Sequence, residues 1–182
     1  TGSLNKKKVC VIKDDTDYGA GLAKATTAGL GSAVDAECSG DVKKGDREFS
    51  AIISKVTAAN PDAVYYAGYY AEAAPLVQQL KSAGSNALFV SGDGTNDPQF
   101  TSQAGDAAKG ALLTCPCGPA PDKLAGEYKS AFNIEPGVYS VQAYDIATIM
   151  MKGIGAGDNT RPKLAEYVRT YKGSGLAGSY EW

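Results

Sequence analysis

Histidine is absent from these 182 residues. That removes Ser-His-Asp hydrolysis, Cys-His nucleophiles, H-E-x-x-H zinc sites and any histidine acid–base step. An excess of positive charge is missing too. Eighteen basic side chains face 20 acidic ones, which is no footprint for neutralising nucleic-acid phosphates. No apolar run approaches the roughly 20 residues that span a bilayer. No signal peptide opens the chain, and Thr1-Gly2-Ser3 reads as an artificial leader. Cysteine is sparse, at four, and the C-x₂-C pairing that marks strong zinc sites does not occur.

What is present fits one domain with a sizeable core, since 43% of the residues are hydrophobic. Cys10 lies in an apolar strand-like run and reads as a small buried hydrophobe. Cys115-Pro-Cys117 is too tight for an ordinary disulfide between its two thiols. A Cys10–Cys38 bridge is open to an exported chain, and the sequence leaves that choice open.

Strand and helix patterns alternate. Lys8–Lys13 is a β-rich apolar run. Gly19–Leu30 has helical spacing through Leu22, Thr26 and Leu30. Ala33–Cys38 is a weaker second strand. Asp46–Ala59 carries Phe49, Ile52, Ile53 and Val56 at helical spacing, with Asp46 as its cap and Asn60-Pro61 as its stop. Ala63–Ala67 predicts the third strand, Glu72–Ala83 a helix ended by Gly84, and Ala87–Ser91 the fourth strand. Pro98–Ala104 reads as a short helix and Ala111–Thr114 as a fifth strand. Lys123–Phe132, Ser140–Ile154 and Pro162–Tyr171 predict helices, the middle one with Val141, Tyr144, Ala147 and Met151 inward. Gly178–Trp182 opens a final strand. The fold class that follows is α/β: an open parallel sheet with helices on both faces, in flavodoxin-like layers.

Ligands of open parallel sheets bind beyond the carboxyl ends of the strands. The loops there are Asp14–Gly19 after strand one, Gly68–Glu72 after strand three and Gly92–Asp97 after strand four. They bring tyrosines and carboxylates to one edge. Rings beside carboxylates suit an ammonium ligand, which gains a counter-charge and cation–π faces. Turn-making and capping are the plainer roles for Asp15 and Asp17, and at least one of Tyr65 and Tyr66 belongs in the core. Three enzymatic or signalling patterns fail here. A D-x-D phosphohydrolase would want Thr or Val where Gly19 stands. A dinucleotide site would want glycine where Lys24 stands, and a receiver domain an aspartate where Ala67-Gly68 stand.

The phrases Asp14–Leu22, Asp46–Ser50, Asp62–Tyr69, Ala87–Gly94 and Gly110–Thr114, in that order and spacing, resemble the second lobe of the leucine/isoleucine/valine-binding protein family. These are type I periplasmic binding proteins that serve ABC importers. The resemblance runs from about Lys6 to the end. It implies a binder and not an enzyme, with no cofactor and no metal. In it, two lobes close on a small amino acid or related amine, and the closed form docks on an ABC permease. It also implies a periplasmic or extracellular address, with a lipid anchor at the cell surface as one form of it. Carried over by position, the acidic partner of the ammonium falls on Asp93, and its accompanying ring on Tyr69. The ring of the first loop falls on Tyr18, and an aromatic of the side-chain pocket on Tyr139.

Three departures bear on this. Asp93 is one methylene shorter than the glutamate of the best-known members. Tyr139 puts a hydroxyl where an apolar ring is familiar. The chain is about half the family's length, so residues 1–182 are read as a single truncated lobe, with the partner lobe and final strands absent. A sensor domain of the same fold, recognising amides, urea or small acids, is the alternative.

Overall fold

A computed structural model describes residues 4–182, so the reading of Thr1-Gly2-Ser3 lies outside the described residues. The contacts divide the chain into two compact units, Thr1–Cys115 and Pro116–Trp182. Among the described residues no helix is long and apolar enough to cross a membrane.

The first unit holds a five-stranded parallel sheet in the order β2-β1-β3-β4-β5. Its strands are β1 (Val9–Lys13), β2 (Gly40–Asp41), β3 (Ala63–Ala67), β4 (Leu88–Ser91) and β5 (Leu112–Leu113). Its helices are α1 (Asp17–Leu30), α2 (Ser50–Ala59), α3 (Tyr70–Ser82) and α4 (Pro98–Ala104). Alternation along β1 separates the two faces. Cys10 and Ile12 join Val64, Tyr66 and Phe89 in a core covered by α2, α3 and α4. Val11 points the other way, onto Ala23 and Leu22 of α1.

Two expectations are corrected. Ala33–Cys38 is not a strand. Val34 makes a single parallel bridge to Val9, and the edge strand is Gly40–Asp41. A side chain has taken over part of the ladder: the Val11 amide donates to Ser39 Oγ at 2.9 Å. A disulfide joins Cys10 to Cys38 across the same seam. Cys115 and Cys117 are disulfide-bonded as well, so tight spacing does not keep these thiols free.

Asp46 does not cap α2, which starts at Ser50. Its carboxylate instead closes a turn, accepting from the Lys43 amide at 2.8 Å. The segment that follows is bound to α3. Gln79 accepts from the Phe49 amide at 3.0 Å and donates to the Arg47 carbonyl at 2.7 Å. Pro75 sits inside α3 and has no N–H to give the Ala71 carbonyl four residues back. The Arg47 guanidinium supplies that donor at 2.6 Å.

The second unit comprises α5 (Asp122–Phe132), α6 (Ser140–Gly155), α7 (Arg161–Thr170) and an antiparallel pair, β6 (Lys172–Ser174) with β7 (Ser179–Glu181). The predicted inward face of α6 is corrected. Val141 is buried, but Tyr144 and Met151 are 49% and 63% exposed; Asp145, Ile149 and Gly153 take the inner positions. A carboxylate goes inside because it is fully engaged. Asp145 accepts from the Leu176 and Ala177 amides at 2.8 and 2.7 Å and from the Tyr180 hydroxyl at 2.9 Å. Glycine at 153 lets α7 approach, since a Cβ there would meet Tyr167 Cδ1 at 2.7 Å. Ile146, Met150, Leu164, Val168 and Trp182 line an apolar groove of about 690 Å³.

Asp145 therefore anchors the β6–β7 turn to α6. Burial pushes its carboxyl pKa up, but the two amides and the Tyr180 hydroxyl outweigh this and hold it below the usual range. A depressed native pKa contributes stability that is complete above the unfolded value, about 3.9, and is lost as pH falls through the native one. Asp145→Ala should cost about 2 kcal/mol at neutral pH. Trp182, the sole tryptophan, lies 6.1 Å from the Tyr180 ring and reports the loss as an earlier urea transition in its fluorescence. At a pH below the native pKa, the gap between variant and parent should close.

Candidate functional site

The order 2-1-3-4-5 reverses direction between β1 and β3, and the crevice beyond the strand ends opens there. The chain leaving β1 is held by Asp14, which is fully buried. Its amide donates to the Ala67 carbonyl at 3.0 Å. Its carboxylate accepts from the Thr16 amide at 3.0 Å and the Thr16 hydroxyl at 2.5 Å. Thr16 then caps α1, accepting from the Gly19 amide at 3.0 Å. This chain of contacts fixes Tyr18, the second residue of the helix.

The chain leaving β3 passes Gly68 and places Tyr69 at the N-cap of α3. A Cβ on Gly68 would lie 2.8 Å from Asp14 Oδ2 and closer still to the Tyr66 hydroxyl. Only glycine lets the two strand ends approach this closely. Tyr66 is buried in the core beneath. Burial first, and then the charges of Asp14 and Glu72, push its phenol pKa up. Glu72 is itself buried and accepts from the Gly45 amide at 2.7 Å.

The chain leaving β4 is tied to the end of β3 by two buried hydroxyls. Ser91 donates to the Tyr66 carbonyl at 2.7 Å. Thr95 Oγ1 lies 2.7 Å from Ser91 Oγ and 3.2 Å from the Gly68 carbonyl. Between these anchors stands Gly92-Asp93-Gly94.

Three of the residues singled out in the sequence meet on this edge. The Tyr18 hydroxyl donates to Asp93 Oδ1 at 2.9 Å, and the Tyr18 and Tyr69 rings are tilted at 37° with centroids 5.0 Å apart. Tyr69 is 38% exposed. The result is a half-open rim with one carboxylate and two rings, suited to a cationic head group with an apolar remainder. Tyr139, the fourth, belongs to the second unit, at the N-cap of α6, and is 39% exposed. Asp15 takes the plainer role, accepting from the Lys44 amide at 2.8 Å. Sequence reasoning did not single out Asp14, Ser91 or Thr95. The available signal was polar side chains at the ends of otherwise apolar strands. Among the described residues, no group of three or more metal-ligating side chains converges.

Residues 2–182 match the sequence profile of a family described as periplasmic binding protein. An amino acid binding protein of Pseudomonas aeruginosa is 34% identical over 186 aligned positions, covering 98% of this chain and 50% of the relative. A second protein of that organism is named leucine-, isoleucine-, valine-, threonine-, and alanine-binding protein. It is 34% identical over 171 positions, covering 90% of this chain and 45% of its own length. Among solved structures, a leucine binding protein of Thermotoga maritima superimposes with a TM-score of 0.84 at 30% identity, over 99% of this chain and 54% of that one. A branched-chain amino acid transporter substrate binding protein of Streptococcus pneumoniae, solved in complex with isoleucine, gives 0.84 at 25% identity over 99% and 53%. The chain spans about half the length of these relatives.

Proposed function

The chain belongs to the periplasmic binding protein family, and from that premise we propose that it is part of a two-lobed solute-binding protein that captures a branched-chain or other small amino acid for an ABC importer. The family implies an extracytoplasmic location. A buried disulfide between Cys10 and Cys38 suits an oxidising compartment of that kind. The relatives are named as binding proteins, so the mechanism proposed is reversible capture, with no covalent step.

One observation carries the reading: Asp93, Tyr18 and Tyr69 converge on the rim at the β1–β3 switch. In the proposed complex the ligand ammonium pairs with Asp93 while the rings exclude water. A first lobe, from the part of the relatives' length that this chain does not span, closes over the rim. The closed form then docks on a permease. The similarity to a branched-chain amino acid transporter substrate binding protein favours import over the sensing of amides or urea.

Asp93→Ala in the two-lobed protein should weaken amino acid binding by about 2 kcal/mol or more, roughly thirtyfold, because a desolvated ammonium loses its counter-charge. A thermal-shift screen over amino acids, amides and urea selects the ligand, and calorimetry measures the loss. Unchanged affinity refutes this site.

A further inference from the structure

The resemblance assigns Tyr18 to the ligand, but the geometry around its hydroxyl points elsewhere. A phenol has one proton to donate. Here it goes to Asp93 Oδ1 at 2.9 Å, while the Gly94 amide donates to the same hydroxyl at 3.0 Å. The proton is thus committed to a carboxylate 75 residues away in sequence. Burial first, with the nearby charge of Asp93 adding to it, pushes the Tyr18 pKa up against the lowering effect of the Gly94 amide. The hydroxyl therefore stays a donor.

The loop that carries Asp93 is shaped to receive this ring. A Cβ on Gly94 would lie 3.0 Å from Tyr18 Cε1 and 2.9 Å from the Gly68 carbonyl. One on Gly92 would lie 3.0 Å from the Tyr18 hydroxyl and 2.9 Å from Leu22 Cδ2. Glycine on both sides of Asp93 is what allows the phenol to reach past the backbone to the carboxylate. The other end of the ring is set by the Thr16 cap of α1. The Asp93 carboxylate is thus held at one oxygen by a residue of α1.

We infer that Tyr18 is a positioning residue: its hydroxyl holds the Asp93 carboxylate in one orientation, and so sets the direction from which an amine is accepted, instead of hydrogen-bonding the ligand. A carboxylate fixed this way pairs with an ammonium arriving along one line, which a freely turning one would not require. Tyr69 is left as the ring that meets the ligand. The assignment rests on the amino acid reading above.

The test is a double-mutant cycle in the two-lobed protein, with leucine and alanine as probes. Tyr18→Phe keeps the ring and should weaken binding about tenfold, the loss expected for one hydrogen bond to a charged group. In an Asp93→Asn background the same substitution should change affinity less than twofold, since its effect runs through the carboxylate. Equal losses in both backgrounds overturn the inference, because direct contact with the ligand or a general loosening of the rim would simply add. A second cycle, on unfolding in urea without ligand, should show Tyr18→Phe and Asp93→Asn to be coupled; additivity there also overturns it. If the parent protein binds neither probe and no other amino acid, the functional proposal fails instead, and the ligand-free cycle still decides the role of Tyr18.

Discussion

Replacing Cys10 and Cys38 together by alanine should lower the unfolding free energy by about 3–4 kcal/mol. The two residues are 28 apart in sequence. Closing a loop of that size in the unfolded chain removes entropy worth roughly that amount. The native side adds a local term. Both sulfurs are fully buried, and the bridge fastens the seam where the ladder is thinnest. β2 contributes two residues, Gly40 and Asp41, and Val34 only one bridge. Urea unfolding followed by circular dichroism measures the loss. Hydrogen exchange should localise it to the β1 amides that face this edge, Val11 among them, whose acceptor is Ser39 Oγ. A change below about 1 kcal/mol contradicts the account. The same number bears on the compartment, because a chain kept reduced forgoes this stabilisation.

The strands that could be read from the sequence are those in which one term dominates. Val9–Lys13 and Ala63–Ala67 are apolar runs between turn residues, and their burial decides their conformation. β2 was misplaced because it is only two residues long and a side chain takes the ladder position before it; nothing in Ala33–Cys38 announces that Ser39 will accept from Val11. The start of α2 was misplaced for a related reason. Asp46 and Arg47 are claimed by contacts with Lys43 and with α3, and the latter arises from Pro75, 28 residues on. Local capping rules do not see such a competitor. On α6, helical periodicity chose Tyr144 and Met151 over Asp145 and Gly153. Hydropathy cannot place a carboxylate inside unless its three donors, all beyond residue 175, are known. The rim itself was legible. Parallel strands must deliver their following loops to one edge, so Tyr18, Tyr69 and Asp93 were brought together by topology alone. Topology did not say which atom would serve which. That the Tyr18 proton belongs to Asp93 depends on two glycines whose missing side chains matter only in three dimensions.

Gly19→Ala should destabilise the protein by about 3 kcal/mol and weaken amino acid binding with it, although alanine is the better helix former. A Cβ at this position would lie 2.7 Å from the Ala67 carbonyl oxygen and would collide with Asp14 Oδ1. Neither neighbour can give way cheaply. Ala67 is fully buried in β3 and its carbonyl already accepts from the Asp14 amide. Asp14 holds Thr16 and, through it, the start of α1. Overpacking of this kind costs about 1–3 kcal/mol. Losing a hydrogen bond to a buried carboxylate adds about 1.5 kcal/mol or more, against roughly 1 kcal/mol gained in helix propensity. Because the displaced groups are the ends of β1 and β3, Tyr18 and Tyr69 should shift with them. Gly21, two residues along the same helix, provides the contrast. It has nothing within 4 Å of its would-be Cβ, so Gly21→Ala should stabilise by up to about 1 kcal/mol. Opposite signs in parallel urea titrations are the expected result. Like effects at both positions would mean that the β1–β3 crevice is not as tightly closed around Asp14 as these contacts require.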